Sequence, residues 1–292
     1  MSELDERPQA GELTTDAWQC AGSAARRHGL RVVELHDLAQ HHAAAALLCR
    51  IWRADTPDQV INADMIRAFA ISGNYVVGAY RDDALVGAAI GFFGAGHLHS
   101  HITGVDPTAQ SGGVGYALKQ HQRAWTLARG IAEVCWTFDP LVRRNAYFNL
   151  HKLGALPTAY LPDFYGELTD GVNAGDASDR LYVAWRLDSR RAVAAAHGKH
   201  NDVDAGALRG SAAMLVDRAS DGPAPVDSPL PADGRPMLVA VPWDIEALRA
   251  HDQAASARWR QAVREALTAA LAAGYRITGM ARDGFYVLEV TR

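Results

Sequence analysis

The sequence predicts an α/β (α+β) protein: a mixed, largely antiparallel central sheet flanked by helices, followed by a C-terminal β-α-β-β extension. Three observations predict it. Apolar residues alternate in short blocks between the period of two of a half-buried strand and the longer period of an amphipathic helix. Two tight-turn signals, Arg81-Asp82-Asp83 and Arg282-Asp283-Gly284, each join a pair of strand-like runs. The stretch Ser100–Leu118 reads as a strand, a proline-marked exit, a glycine turn and the first turns of a helix. The implied order is α-β-α-α-β-β-β-α-β-α-β, then a linker and β-α-β-β, which places helices on both faces of the first sheet.

Each element has a local reason. Residues 1–13 are polar and acidic and are expected to be disordered, while Thr14, Thr15 and Asp16 offer caps for a helix through Arg27 that Gly29 closes. Arg31–Leu35 reads as a first strand. His36–Arg53 repeats Leu38, Ala45, Leu48, Ile51 and Trp52 at helical spacing, and Asn62–Ile71 is a shorter helix stopped by Ser72-Gly73. Tyr75–Tyr80 and Leu85–Phe93 form a hairpin, and Leu98–Val105 is the fourth strand. The helix from Val114 to about Arg129 sets Val114, Ala117, Leu118, Trp125 and Ala128 on one face, with Lys119, Gln122, Arg123 and Thr126 on a polar face. Ala132–Phe138 is a strand, residues 142–153 a helix stopped by Gly154, residues 156–169 a loop, and Leu181–Leu187 a last strand. The composition then shifts to Ala, Gly, Asp and Pro, and residues 189–236 read as an extension and linker. In residues 237–292, Met237–Val241 is a strand, and one long helix runs from Asp244 to about Ala273, or ~45 Å at ~1.5 Å per residue. A final hairpin, Tyr275–Met280 with Phe285–Val290, closes the chain. Leu248, Trp259, Val263, Leu267 and Leu271 form a stripe on that helix, which either packs on a sheet or mediates a homodimer.

Composition excludes several classes. The 292 residues carry a net charge of −4, against the basic surplus of a general nucleic-acid binder. Three cysteines, Cys20, Cys49 and Cys135, are widely spaced and form neither a disulfide framework nor a CxxC metal site. The N-terminus lacks a basic and apolar leader, and no apolar run reaches the ~18 residues of a membrane span. A cytoplasmic protein with no membrane partner is the expectation.

The glycine turn suggests a ligand. A helix N-terminus after a strand gathers unpaired N–H groups and the positive end of the helix dipole, a combination suited to phosphate. Gly113 and Gly115 leave no Cβ in the way of an anion. The window 110–155 also holds six basic residues, Lys119, Arg123, Arg129, Arg143, Arg144 and Lys152, against Glu133 and Asp139. Clustered in an acidic chain, they favour a polyanionic ligand over a merely solvated helix face.

Gln110-Ser111-Gly112-Gly113-Val114-Gly115 matches an Arg/Gln-x-x-Gly-x-Gly/Ala signature. Val105-Asp106-Pro107 matches the Val-x-Pro before it, and Asn145 with Lys152-Leu153-Gly154 matches an Asn…Lys-Leu-Gly-Phe tail in which Ala155 replaces Phe. In these motifs residues 31–187 resemble the GNAT (N-acetyltransferase) superfamily, and segments around them resemble a bacterial subgroup with a C-terminal extension. The resemblance implies a GNAT domain over 14–188 and an enzyme that moves an acetyl, succinyl or other acyl group from acyl-CoA to a small amine, an amino acid among the candidates. It implies that Val105, Gln110, Ser111, Gly112, Gly113, Val114, Gly115, Tyr116 and Asn145 bind the coenzyme A portion of acetyl-CoA or another acyl-CoA, with no metal. The usual base is a carboxylate on the fourth strand. Here that strand carries imidazoles, His97, His99 and His101, at spacing two. An ordinary pKa of ~6.5 makes an imidazole a workable base, so His101 and then His99 are the candidates. Three imidazoles on one face also suit zinc, but no carboxylate or thiolate completes a ligand set nearby. The usual acid is a Tyr where Leu150 stands, leaving Tyr147, Tyr160, Tyr165 or water. Acceptor candidates are Asn74, Asp163, Tyr165 and Arg180, the last able to clamp a carboxylate or to pair with Asp179 or Asp176. The missing Tyr and strand carboxylate leave a non-catalytic acyl-CoA-binding or regulatory module as the alternative.

Overall fold

The computed structural model describes residues 10–110, 112–166, 176–200, 202–220, 222–225 and 230–290. The chain forms two compact units, one of Met1–Cys135 with Arg186–Ser189 and one of Trp136–Trp185 with Arg190–Arg292. The division falls inside a strand, rather than near residue 188 where composition shifts. Among the described residues, no helix is long and apolar enough to cross a membrane.

The first unit contains α1 (Ala10–Arg27), β1 (Arg31–Glu34), α2 (Leu38–Trp52), α3 (Ala63–Ile71), β2 (Tyr75–Arg81), β3 (Ala84–Phe93), β4 (Leu98–Val105), α4 (Val114–Leu127) and the start of β5 (Glu133–Phe138). Helix α1 starts at Ala10, so residues 10–13, expected to be disordered, are helical, and Leu13 and Ala17 are buried. The Asp37 side chain caps α2 by accepting from Gln40 N at 2.8 Å while Gln40 Oε1 accepts from His36 N and Asp37 N. Strands β1 to β4 pair antiparallel in sequence order, and β2 and β3 turn through Asp82, at φ 52°, and Asp83.

The two faces of this sheet are covered by different helices. A Cβ at Gly104 would meet Leu48, Ile51 and Trp52 of α2, whereas one at Gly87 would meet Val114 and Leu118 of α4. The α2–α3 side holds an apolar cluster that includes Leu35, Leu47, Leu48, Ile66, Val76 and Ile90. On the other side, Ala17 and Ala21 of α1 pack on Ala124 and Leu127 of α4. Helix α4 departs from a simple amphipathic pattern, because Lys119, Gln122, Arg123 and Thr126, expected on its solvated face, are buried. Arg123 accounts for part of this by donating Nε and Nη2 to Leu187 O, both at 3.2 Å.

The second unit contains the end of β5, α5 (Arg143–Tyr147), a wide helical turn over Phe148–Lys152, β6 (Leu156–Leu161), β7 (Arg180–Arg186), α6 (Arg190–Ala196), α7 (Ala205–Leu208), β8 (Ala213–Ala219), β9 (Gly222–Pro225), β10 (Met237–Ala240), α8 (Ile245–His251), α9 (Gln253–Ala272), β11 (Tyr275–Met280) and β12 (Phe285–Val290). The first sheet runs β1-β2-β3-β4-β5-β7-β6, and a second runs β11-β12-β10-β8-β9. Three expectations are corrected here. Leu156–Leu161, read as loop, is a strand antiparallel to β7, and its alternation was hidden by Pro157. The expected linker 189–236 supplies α6, α7, β8 and β9, and β8 joins the second sheet parallel to β10. The expected long helix is two, because Asp252 at φ −146° leaves the helical conformation and its side chain accepts from Ala255 N to cap α9. The α9 stripe, Trp259, Val263 and Leu267, is buried within its own unit.

An ionic cluster, with Asp139 and Asp176 facing Arg249 and Arg260, is enclosed in the second unit; the four side chains are 4–7% exposed. Beside it Asp179 accepts from Arg264 Nε at 2.8 Å and from Tyr160 Oη at 2.5 Å.

Candidate active site

Strand β4 and the turn after it organise the first unit's polar chemistry. On one side β4 pairs with β3 along its length. On the other it pairs parallel with β5 only at Leu98↔Val134 and His99↔Cys135. From Ser100 onward that edge is released from β5. The same place carries a β-bulge: Ile90 faces Ile102 and Gly91 faces Ser100, so His101 is the extra residue. A bulge leaves its extra residue out of the ladder and re-aims side chains. It keeps His99 and His101 on one face, with ring centroids 6.2 Å apart. Both rings tilt against Phe92, at 4.9 and 5.8 Å, and Phe92 stacks on Phe69 of α3 at 5.7 Å. Ser100 points to the opposite face, where its Oγ accepts from Lys119 Nζ of α4 at 2.8 Å.

Burial sets the protonation of these groups. Burial, then the neighbouring His101, His97 and Lys119, push the pKa of His99 down to about 4. His101 keeps one edge in solvent while its other side packs against Phe92, and that partial burial lowers its pKa too. Both rings are therefore neutral at neutral pH. His97 stands apart, before the strand, with Nδ1 3.3 Å from Ala95 O and its ring over Gly94. The expected alignment of three imidazoles thus reduces to two.

The glycine turn opens α4 as expected, with Gly113 as N-cap at φ 73°. Its glycines have different reasons. A Cβ at Gly113 would lie 2.2 Å from the His28 ring, so the left-handed backbone and His28 exclude a side chain there, rather than the anion alone. A Cβ at Gly112 would lie 2.8 Å from Arg81 Nη2. Only Gly115 opens on free space, with Val105 Cγ2 at 3.7 Å as the nearest atom. Tyr116 is half-buried, and burial raises its pKa, so the phenol stays protonated. Ser111 lies outside the described residues, and Gln110 is exposed just before the turn. The turn can therefore accept a phosphate through the open side at Gly115, with Arg81 and His28 beside it.

A contrast follows between two glycine variants. Gly113→Ala is expected to lower the thermal midpoint by several degrees, from about 1–2 kcal/mol of left-handed backbone cost plus the His28 clash. Gly115→Ala is expected to melt like the wild type but to lose coenzyme A affinity. Differential scanning calorimetry with titration of coenzyme A separates them, and equal melting of both would sink the distinction.

The basic residues expected to cluster over 110–155 are divided between the two units. Lys119 and Arg123 are buried, and Arg129 lies over the Trp125 ring at 3.4 Å. Arg143, Arg144 and Lys152 belong to the second unit. Sequence spacing missed Arg81 and His28, which come from the ends of β2 and α1, far from the turn in the chain; no local signal marks them.

Most of the remaining candidates have structural partners. Asn74 Oδ1 accepts from Phe93 N at 2.9 Å and so ties α3 to the end of β3. In the second unit, Tyr147 stacks on His151 at 4.4 Å, and burial with the nearby Asp202 raises its pKa. Asn145 is exposed on α5. Asp163, at φ 45°, accepts from Ser178 Oγ at 3.2 Å and closes a turn. Tyr165 shares a hydrogen bond with Thr137 Oγ1 at 3.2 Å, and Arg180 lies 5.2 Å over its ring. Arg180, read as able to clamp a carboxylate or to pair with Asp179 or Asp176, is buried and donates to the backbone oxygen of Asp179 at 2.9 Å. The Asp179 carboxylate is taken by Arg264 and Tyr160.

No family model and no curated protein matches the sequence. Among solved structures, the chain is similar in fold to N-acetyltransferases. The ribosomal-protein-S18-alanine N-acetyltransferase from Escherichia coli is 16% identical over 54% of this chain and 94% of its own, with a TM-score of 0.45. An N-acetyltransferase from Staphylococcus aureus Mu50 is 13% identical over 54% of this chain and 98% of its own, with a TM-score of 0.45. Naa50 from Arabidopsis thaliana, solved with the bisubstrate analogue CoA-Ac-MVNAL, is 18% identical over 53% of this chain and 97% of its own, with a TM-score of 0.42.

Proposed function

We propose that the protein is an acyl-CoA-dependent N-acyltransferase of the GNAT type, passing an acetyl or succinyl group to a small amine by direct attack on the thioester. One observation carries the reading: β4 leaves β5 after His99, and a glycine turn opens α4 at the far end of the same strand. An extended thioester arm fits a released strand edge, because its amides find the strand's backbone groups there. A pyrophosphate fits the helix start at Gly115, where a Cβ meets nothing closer than 3.7 Å, and Arg81 supplies a guanidinium for it.

In this reading the amine approaches on the α3 side of β4, where His99 and His101 stand. His101 is the base, since its proton-free form predominates at neutral pH and its edge is open to solvent. Val105 and Gly112–Tyr116 hold the coenzyme A portion. Asp163, Tyr165 and Arg180 remain acceptor candidates, with Arg180 suited to a carboxylate-bearing amine such as an amino acid.

Isothermal titration with acetyl-CoA and succinyl-CoA, followed by an amine panel read out by free thiol, tests the proposal. Binding of at least one thioester and amine-dependent thiol release are expected. Absence of binding to both would remove the reading.

A further inference from the structure

The ionic cluster of the second unit leaves one guanidinium over. Arg249 and Arg260 pair with Asp139 and Asp176, and Arg264 pairs with Asp179. Arg180 brings a fourth guanidinium to these three carboxylates, and Asp139, Arg260 and Arg249 stand near enough to act on its charge. Asp163, exposed on the adjoining turn, directs its Oδ1 to Ser178 Oγ at 3.2 Å.

Arg180 opens β7 and is 9% exposed. Its Nη1 donates to Asp179 O at 2.9 Å. Among the described residues Nε and Nη2 have no acceptor, and neither atom is sealed from solvent. A cation withdrawn from water onto one neutral carbonyl is costly. An anion completes it at lower cost, and the planar fork of a guanidinium matches the two oxygens of a carboxylate.

Two rings stand beside this fork. Arg180 Cζ lies 5.2 Å over the Tyr165 ring, and Phe164 meets Tyr165 edge to face at 4.7 Å. Both rings are 48% exposed, yet their segment is pinned to the buried Ser178. Phe164 N donates to Ser178 O at 3.2 Å, and Tyr165 N donates to Ser178 Oγ at 2.9 Å. Thr137 Oγ1 then fixes the Tyr165 hydroxyl at 3.2 Å. Aromatic faces held rigidly in water gain by packing against another ring.

We infer that Arg180, Tyr165 and Phe164 form a subsite for an aromatic amino acid, with its carboxylate on the Arg180 fork and its ring against Phe164. The inference rests on the acyltransferase reading, in which the amine of this ligand is the acyl acceptor, and it narrows small amines in general to one class. Charge complementarity selects the occupant. A simple alkylamine arrives as a cation at a cluster already holding an extra guanidinium. An amino acid arrives with no net charge and can set its carboxylate nearest Arg180. Tyr165, held between the fork and Phe164, is the positioning residue.

The test is isothermal titration of wild type and variants with L-phenylalanine, 3-phenylpropionate, phenethylamine and L-alanine, with and without coenzyme A, alongside melting curves. L-Phenylalanine and 3-phenylpropionate are expected to bind. Phenethylamine lacks the carboxylate and L-alanine lacks the ring, so each is expected to bind about 10-fold more weakly or worse. Arg180→Gln is expected to weaken phenylalanine binding by about 10–100-fold, the scale of a hydrogen bond to a charged group. Phe164→Ala is expected to weaken it by about 3–10-fold, the scale of an aromatic pair. Phe164 is exposed, so this variant carries the test if Arg180→Gln fails to fold.

No binding of phenylalanine or phenylpropionate would overturn the subsite. Phenethylamine binding as tightly as phenylalanine, or unchanged affinity in Arg180→Gln, would overturn the carboxylate clamp. Alanine binding as tightly, or unchanged affinity in Phe164→Ala, would overturn the aromatic class. Acyl transfer to alkylamines with no preference for phenylalanine removes the subsite and leaves the acyltransferase reading standing. Phenylalanine binding without binding of any thioester does the reverse: the subsite stands and the acyltransferase reading falls.

Discussion

Asp139→Ala is expected to destabilise the protein by about 3–5 kcal/mol, the range for removing one partner of a buried ion pair. Asp139 accepts from Arg260 at 2.8 and 3.0 Å, from Arg249, and from Leu141 N at 2.9 Å. Removing it leaves two enclosed guanidiniums facing Asp176, and among the described residues Arg249 Nη1 has no partner even in the intact cluster. Burial by itself would raise the Asp139 pKa. The charge and hydrogen bonds of Arg260, then Arg249 and the Leu141 N–H, outweigh it and hold the carboxyl well below the usual range. The folded value thus lies below the unfolded one of ~3.9. The stabilisation is then complete above about pH 4 and is lost as pH falls toward the folded pKa. Urea unfolding followed from pH 3 to 7 should show that acid loss in the wild type and a shallower loss in Asp139→Ala. A change below about 1 kcal/mol at pH 7, the scale of a solvated pair, would mean that the cluster contributes little.

His101→Ala is expected to lower amine-dependent thiol release by about 10²–10⁴-fold, the span for loss of a positioned base, with acyl-CoA binding retained. His99→Ala should cost less, because a ring with a pKa of about 4 is a poorer acceptor for an ammonium proton. The sign of the pH dependence follows. A base works in its neutral form, and burial lowers the His101 pKa, so the acid limb of the wild-type profile should lie below the ordinary histidine value of ~6.5. Equal rates for His101→Ala and wild type across that range would take the base assignment away.

Most of the first sheet was legible in sequence because its determinants are local. The Asp82-Asp83 turn and the glycine before α4 each act within a few residues, and the structure places them where composition does. The alternation of His99 and His101 likewise needs only strand geometry. The errors fell where distant residues decide. Residues 189–236 look like linker, yet β8 becomes a strand because β10 supplies a partner in the second sheet. Pro157 argues for loop, yet β7 recruits its segment as a strand. Lys119, Gln122 and Arg123 read as a solvated face, since helical spacing distinguishes faces but not what covers them; Ser100 and Leu187 O receive two of the three.

The same division holds for the candidate site. Sequence by itself determined that a glycine turn follows a strand bearing imidazoles at spacing two, because both are properties of a short contiguous stretch. Only the tertiary structure decided that His101 is the bulged residue, that Gly113 is required by His28 while Gly115 is open, and that Arg81 attends the turn. It also decided that Lys119 reaches Ser100. These depend on register against β3 and on side chains from α1 and β2, and residues that meet only on folding leave no mark at fixed spacing in the chain.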